Sequence, residues 1–173
     1  MATTYSYIYE EFLDKITDPD LLLLAYDDQE ATKRAYLEYA VTKCSIHVYP
    51  KFDLSKRAIV KVYDESIPID DGEEPPTVVD ELEAFEDDLD DNVIVMLTEY
   101  MVEAWLKPYL NNADLLRLHM NTKDFNTTSP ANLVEKIGAR YDEARHRARS
   151  LRNEYTYIIN SVTNLSTRKK TYL

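Results

Sequence analysis

Residues 129–165 read SPANLVEKIGARYDEARHRARSLRNEYTYIINSVTNL, and this stretch predicts one uninterrupted helix. Ser129 is a residue type that caps helix N-termini, and Pro130 suits the first helical position, where an N–H would have no partner. Apolar residues then recur at spacings of three and four, as in a heptad pattern: Val134, Ile137, Tyr141, Ala144, Ala148, Leu151, Tyr155, Ile158, Val162 and Leu165. At 1.5 Å per residue the helix would be roughly 50 Å long. It must therefore pack along other helices, or along other copies of the chain, to bury this stripe.

Similar spacing upstream predicts five shorter helices. They fall at residues 5–16, at 18–24 behind Asp18 and Pro19, at 31–44 behind Asp27 or Asp28, from Asp90 or Asp91 as far as Pro108, and at 111–120. Pro108 is expected to kink or end the fourth of these helices. The sequence thus predicts a mainly α fold, a bundle of about six helices with a long C-terminal helix, within a single domain spanning residues 1–173.

One segment, residues 54–85, does not follow the helical pattern. Residues 58–63 are rich in β-branched and aromatic side chains and predict a strand, for which residues 46–49 or 77–79 are the candidate partners. Residues 66–76 contain three prolines and one glycine, which break any regular apolar spacing. This composition predicts a mobile loop, with helix resuming near Thr77. We therefore expect a small β-hairpin or acidic loop inserted into the helical domain.

The net charge of −12 is concentrated in one segment. Residues 64–91 hold 14 of the 32 Asp and Glu and none of the 20 Lys and Arg, which leaves 18 acids against 20 bases elsewhere. Such a block is often no more than a solvated insertion. The alternative is a surface that repels phosphate or binds a basic partner.

The composition argues against an enzyme. With two glycines, the chain lacks the glycine-rich turns that nucleotide-binding loops require. The single cysteine and three scattered histidines fit no metal-ligand spacing. We therefore expect no catalytic residue, no cofactor and no metal. No apolar run approaches 18 residues, so no membrane partner is expected either.

Two basic features are candidate binding elements. The long helix carries a cationic face, which is either a solvated surface with internal ion pairs or an acid-binding face. As an acid-binding face it would form a subunit interface that pairs its arginines with acids of a neighbouring copy: Arg140, Arg145, Arg149 and Arg152 with Asp87 and Asp88. Residues 166–173 predict a flexible basic tail that a partner would order. Its candidate contact residues are Arg168, Lys169, Lys170, Tyr172 and Leu173.

Three short motifs resemble a group of structural proteins from tailed bacteriophages. They are Trp105-Leu106-Lys107-Pro108, Asn121-Thr122-Lys123-Asp124-Phe125 and Ser129-Pro130-Ala131-Asn132-Leu133. The group is similar to head–tail connector, or adaptor, proteins. The resemblance covers about residues 9–44 and 91–157 of this chain. The residues from these motifs that we assign as structural anchors are Trp105, Pro108, Phe125, Ser129 and Pro130. Residues 54–85 depart from the group, so its properties do not extend to them.

The resemblance implies a mainly helical, non-enzymatic protein of the virion neck, assembled in the host cytoplasm. It implies a homo-oligomeric ring of about twelve copies beneath the portal. Its partners would be the portal protein, reached by the C-terminal tail, and a tail, stopper or tail-terminator protein, with DNA passing through without specific binding. The residues also allow an alternative to a connector. The chain would then be a small acidic regulatory or inhibitory protein whose acidic segment mimics nucleic acid and occupies a basic site on a host enzyme.

Overall fold

A computed structural model describes residues 2–16, 21, 25–49, 51–63, 78–111 and 130–170. Its elements, in chain order, are α1 (Tyr5–Leu13), α2 (Tyr26–Val48), β1 (Arg57–Tyr63), β2 (Val78–Phe85), α3 (Asp91–Asn111) and α4 (Pro130–Lys170). The two strands pair antiparallel as a two-stranded sheet. The mainly helical character expected from the sequence is confirmed.

The predicted bundle of about six helices is wrong, because the described residues form four helices and one two-stranded sheet. Two of the expected helices, at 18–24 and 111–120, fall almost entirely outside the described residues. The predicted loop at 66–76 also lies outside them. The remaining four predicted helices correspond to α1, α2, α3 and α4.

Helix α3 is the centre of the fold. It packs against α1, α2 and α4, and its buried residues point in nearly every direction around the helix. These residues include Val93, Met96, Leu97, Tyr100, Met101, Val102 and Leu106. A helix that is apolar on most sides has to be enclosed. The three other helices therefore arrange themselves around α3.

Helix α4 is much longer than its neighbours. It has 41 residues, whereas α3 has 21 and α2 has 23. At 1.5 Å per residue, α4 is about 60 Å long and the other two are about 30 to 35 Å. Its heptad positions Ala144, Ala148 and Tyr155 are buried, and Ile159 is packed against the core while Ile158 is exposed. Helices α2 and α3 can therefore accompany only about half of α4.

Helix α2 and the hairpin differ from the expected boundaries. Helix α2 begins at Tyr26, with the two aspartates inside its first turn, and continues to Val48, which is fully buried. Residues 46–48 are helical and therefore do not pair with β1. The partner of β1 is β2, which starts at Val78, within the other candidate segment, residues 77–79. The expected return to helix near Thr77 is wrong. Strand β2 forms because it pairs with β1 from Phe85 to Asp80 and again at Val78, with an irregularity at Val79.

The N-terminal segment fastens the hairpin to the helices. The backbone O of Thr3 accepts a hydrogen bond from Phe85 N at 2.8 Å, and Thr4 bridges to Ala84. The Thr3 hydroxyl also accepts a hydrogen bond from Leu89 N at 2.8 Å. These bonds fix the base of the hairpin beside α1, on which β2 packs.

Candidate functional site

Three arginines lie along one side of α4. Arg145, Arg149 and Arg152 follow each other at spacings of four and three, which places them on the same side of a helix. Burial raises the pKa of Tyr39 of α2, and Arg145 lies close enough to offset part of that rise. Burial lowers the pKa of His47 of α2, and the charge of Arg152 lowers it further. The arginine row therefore follows the line along which α4 runs beside α2.

Helices α2 and α3 add two lysines to this row. The Lys43 Nζ of α2 lies 5.3 Å from the centroid of the Tyr39 ring, and the Lys107 Nζ of α3 lies 5.6 Å from the same centroid. Both are cation–π contacts, which hold a lysine head group near an aromatic face. Both lysines are exposed, so their charges are open to solvent. We call the surface formed by Lys43, Lys107, Arg145, Arg149 and Arg152 the cationic groove.

The floor of the cationic groove is one buried carboxylate, Glu103 of α3. Its Oε1 accepts hydrogen bonds from the hydroxyl of Tyr39 at 3.2 Å and from the hydroxyl of Tyr141 of α4 at 3.4 Å. Burial, followed by the charge of Glu103, raises the pKa of Tyr39 to about 12. Glu103 thus joins three helices beneath the cations.

We predict that Glu103→Leu lowers the free energy of unfolding by about 1 to 3 kcal/mol, because two tyrosine hydroxyls lose their shared acceptor. Glu103→Gln keeps one acceptor oxygen and should lose less. Urea unfolding followed by circular dichroism measures both variants, with Glu154→Leu on the exposed surface of α4 as the control. A Glu103→Leu protein as stable as the wild type would contradict this role for the carboxylate.

Cys44 and His47 lie near the C-terminal end of α2, where α4 runs beside it. Burial raises the pKa of the Cys44 thiol, so this cysteine stays protonated and behaves as an apolar core residue. Burial, and then the charge of Arg152, lowers the pKa of His47, which keeps that imidazole neutral at pH 7. Its Nδ1 lies 3.4 Å from the hydroxyl oxygen of Thr156 in α4. These contacts tie α4 to the end of α2.

The charges of the groove are not neutralised within the described part of the chain. No carboxylate there lies within 4 Å of the side-chain nitrogens of any of its five cations. The Nε of Arg152 is buried and has no hydrogen-bond partner among the described atoms. Five cations over one carboxylate form a surface suited to an anionic partner.

The structure separates the residues that the sequence suggested as a subunit interface. Arg140 and Arg147 both pair with Glu143, at 3.1 and 2.6 Å, away from the groove. Asp87 is partly buried and accepts a hydrogen bond from the backbone N of Asp53 at 2.9 Å, whereas Asp88 is exposed. Arg145, Arg149 and Arg152 alone among these predicted residues line the groove.

Three of the five predicted anchors, Trp105, Pro108 and Pro130, fall within the described residues, in α3 and α4. Trp105 is partly buried against the core and packs edge-on against Tyr109, with ring centroids 5.7 Å apart. Pro108 lies inside α3, which continues to Asn111, so the helix does not end at Pro108. Pro130 is the first residue of α4. Phe125 and Ser129 lie outside the described residues.

The predicted C-terminal contact residues divide at the end of α4. Arg168, Lys169 and Lys170 are its last three residues, so the helix includes most of the segment predicted as a flexible tail. Tyr172 and Leu173 lie outside the described residues, and no contact of the other three side chains is described.

In the described part of the chain, no group of three His, Cys, Asp or Glu side chains could hold a metal ion. None of its helices combines the length and the apolar character needed to cross a membrane.

Sequence reasoning missed Lys43 and Lys107, because it considered the cations of each helix separately. The spacing of Tyr39 and Lys43 by four residues is a signal of contact within α2. Nothing in the sequence indicates that Lys107 reaches the same ring, since this contact depends on how α3 packs beside α2.

Comparison of the chain with models of protein families, with curated proteins and with solved structures finds no match. The function must therefore be argued from the motifs and from the geometry described above.

Proposed function

We propose that this chain is a structural subunit of a tailed-bacteriophage neck: a head–tail connector that forms a ring under the portal, extends the DNA channel and offers the site of tail attachment. The observation that carries this proposal is the length of α4. Helices α2 and α3 can accompany about half of its 60 Å, so the heptad pattern continues beyond them. A helix that is longer than the other described helices of its chain is suited to packing against other chains.

Electrostatics also support a ring. Its contacts are heterologous, which means that each subunit needs two different complementary surfaces. The acidic segment and the cationic groove give one chain surfaces of opposite sign. About twelve copies would carry a formal charge of about −144, twelve times −12, and a channel with this charge would repel the DNA backbone and let it slide.

The alternative is a small acidic inhibitor that mimics nucleic acid. Such a mimic would bind its carboxylates to a basic site on another protein. The native mass of the purified chain discriminates the two proposals, because a mimic stays a monomer or dimer whereas a connector forms a closed ring.

The test is to mix the purified chain with portal-bearing, tailless heads and to separate bound from free protein by sedimentation. We expect the chain to sediment with these heads, to appear at the portal vertex in electron micrographs, and to be required for tail joining. Heads that lack the portal are the control and should not bind it. A chain that stays in the supernatant, or that binds both kinds of head equally, would contradict the proposal.

A further inference from the structure

The β1–β2 hairpin forms an acidic arm at the side of the domain. Asp80, Glu81 and Glu83 of β2 are exposed, and Glu86 and Asp88 follow directly. We call β1, β2 and the residues up to Asp88 the acidic arm. Three of these carboxylates take part in exposed ion pairs: Glu81 with Lys61 at 3.9 Å, Glu83 with Arg34 at 3.0 Å and Glu86 with Lys56 at 3.9 Å. With Asp87, the arm holds six acids against two bases of its own, Arg57 and Lys61, so it keeps a net negative charge.

The arm also has apolar surface without a partner. Ile59 is 63% exposed and Val62 is 39% exposed, although both lie in a strand. Strand β1 packs mainly on β2, and the hairpin is held to the helices through β2 and α1. Because side chains alternate between the two faces of a strand, Ile59 and Val62 lie on opposite faces, Ile59 opposite Glu83 and Val62 opposite Asp80. Each face of the arm therefore carries one exposed apolar side chain beside a carboxylate.

The cationic groove has matching features. At its far end, where His47 meets Thr156, Ile46 of α2 and Tyr49, directly after α2, are 83% and 63% exposed, respectively. The groove thus combines uncompensated cations with apolar surface, and the arm combines carboxylates with apolar surface.

We propose that the cationic groove of one copy binds the acidic arm of a second copy, and that this contact joins neighbouring subunits. The inference rests on the proposed ring and names the surfaces that form it. Within one chain the arm pairs with the N-terminal half of α2 through Arg34, whereas the groove lies at its C-terminal half, from Tyr39 to His47. One chain therefore presents the two surfaces at different places, as a heterologous contact requires.

A nucleic acid could also be attracted to the groove, but a second copy fits better. At a net charge of −12, the whole chain repels a phosphate backbone at long range. The acidic arm is present at the same concentration as the groove in every assembly. It also offers apolar side chains, which a phosphate backbone lacks.

The test compares four full-length variants with the wild type by sedimentation velocity at several ionic strengths. Arg149→Glu reverses an exposed charge in the groove, and Asp80→Lys reverses an exposed charge in the arm that is in no ion pair among the described residues. The third variant combines both changes in one chain. The control is Lys136→Glu, which makes the same change nine residues before Arg145 and therefore on the opposite side of α4. Circular dichroism establishes that each variant is folded.

We expect each single reversal to raise the concentration needed for half assembly by about a hundredfold, because it places like charges together. The combined variant should recover assembly, the control should assemble as the wild type does, and high salt should weaken every assembly. Assembly of Arg149→Glu at the wild-type concentration would overturn the groove contact while leaving the ring proposal intact. A wild type that stays monomeric throughout would overturn both.

Binding of a 30-base-pair DNA duplex is measured in parallel by fluorescence anisotropy. We expect no difference between the wild type and Arg149→Glu. Loss of duplex binding in Arg149→Glu with unchanged self-assembly would assign the groove to nucleic acid and overturn the contact between copies.

Discussion

Removal of residues 168–173 is expected to leave the domain folded and to abolish its stable attachment to portal-bearing heads. The described contacts of α4 with the core end at Ile159, nine residues before the deletion begins. The free energy of unfolding should therefore change by no more than about 0.5 kcal/mol. The deleted residues include three consecutive cations, Arg168 to Lys170, and the apolar pair Tyr172 and Leu173.

Attachment should be much more sensitive than folding. A ring presents about twelve copies of this segment at once, so a weak contact per copy becomes a strong one in total, and its loss should weaken attachment by about a hundredfold or more. Sedimentation with portal-bearing heads measures this effect. Replacing the three cations with Gln, while keeping Tyr172 and Leu173, separates the charged contribution from the apolar one. Unchanged attachment of the truncated protein would show that α4 does not end at the portal.

The largest loss of stability is expected for Phe12→Ala. Phe12 is fully buried, and its ring meets Tyr36 of α2 edge-on at a centroid distance of 5.9 Å. The substitution leaves a cavity where α1 packs beside the central helix, and such cavities cost about 3 to 5 kcal/mol. This is a large fraction of the roughly 5 to 15 kcal/mol that stabilises a typical domain.

Urea unfolding of Phe12→Ala tests this prediction against Tyr157→Ala, which removes a ring that is 77% exposed in the isolated chain. We expect the control to unfold within about 0.5 kcal/mol of the wild type. A Phe12→Ala protein that loses less than about 1 kcal/mol would mean that the packing of α1 contributes little to the domain.

The sequence predicted the long helix because its signal is local and repeated. A proline at the first position and a three-and-four apolar repeat reinforce each other over ten turns, and no single tertiary contact is needed to recognise them. The buried residues Ala144, Ala148 and Tyr155 all belong to the predicted stripe. The central helix was equally evident from Val93, Leu97, Tyr100 and Met101, which are all buried.

The sequence did not predict strand β2, because its amino-acid composition is unfavourable for a strand. Three of its eight residues are Asp or Glu, which are depleted in strands. Its pairing with β1, with Lys61 opposite Glu81, and the bond from Phe85 N to Thr3 O stabilise it despite that composition. Contacts so distant in sequence cannot be seen in the pattern of a single segment.

The cationic groove was predicted only in part for a related reason. Its three arginines lie on one helix and could be recognised there, but the two lysines come from two other helices. The sequence also assigned Arg140 to this surface. Helical geometry places it on the other side of α4, where it pairs with Glu143. Distinguishing free from paired cations requires the positions of their neighbours.

The most direct test of the connector proposal is the native mass of the purified chain, measured by mass photometry across the micromolar range at low salt. A ring predicts one dominant closed species at a whole-number multiple of 20.2 kDa, about 240 kDa for about twelve copies, with few intermediates because closure satisfies every interface. Negative-stain images of the same sample should show a central channel. A 20.2 kDa monomer, or a dimer that does not grow with concentration, would contradict the proposal.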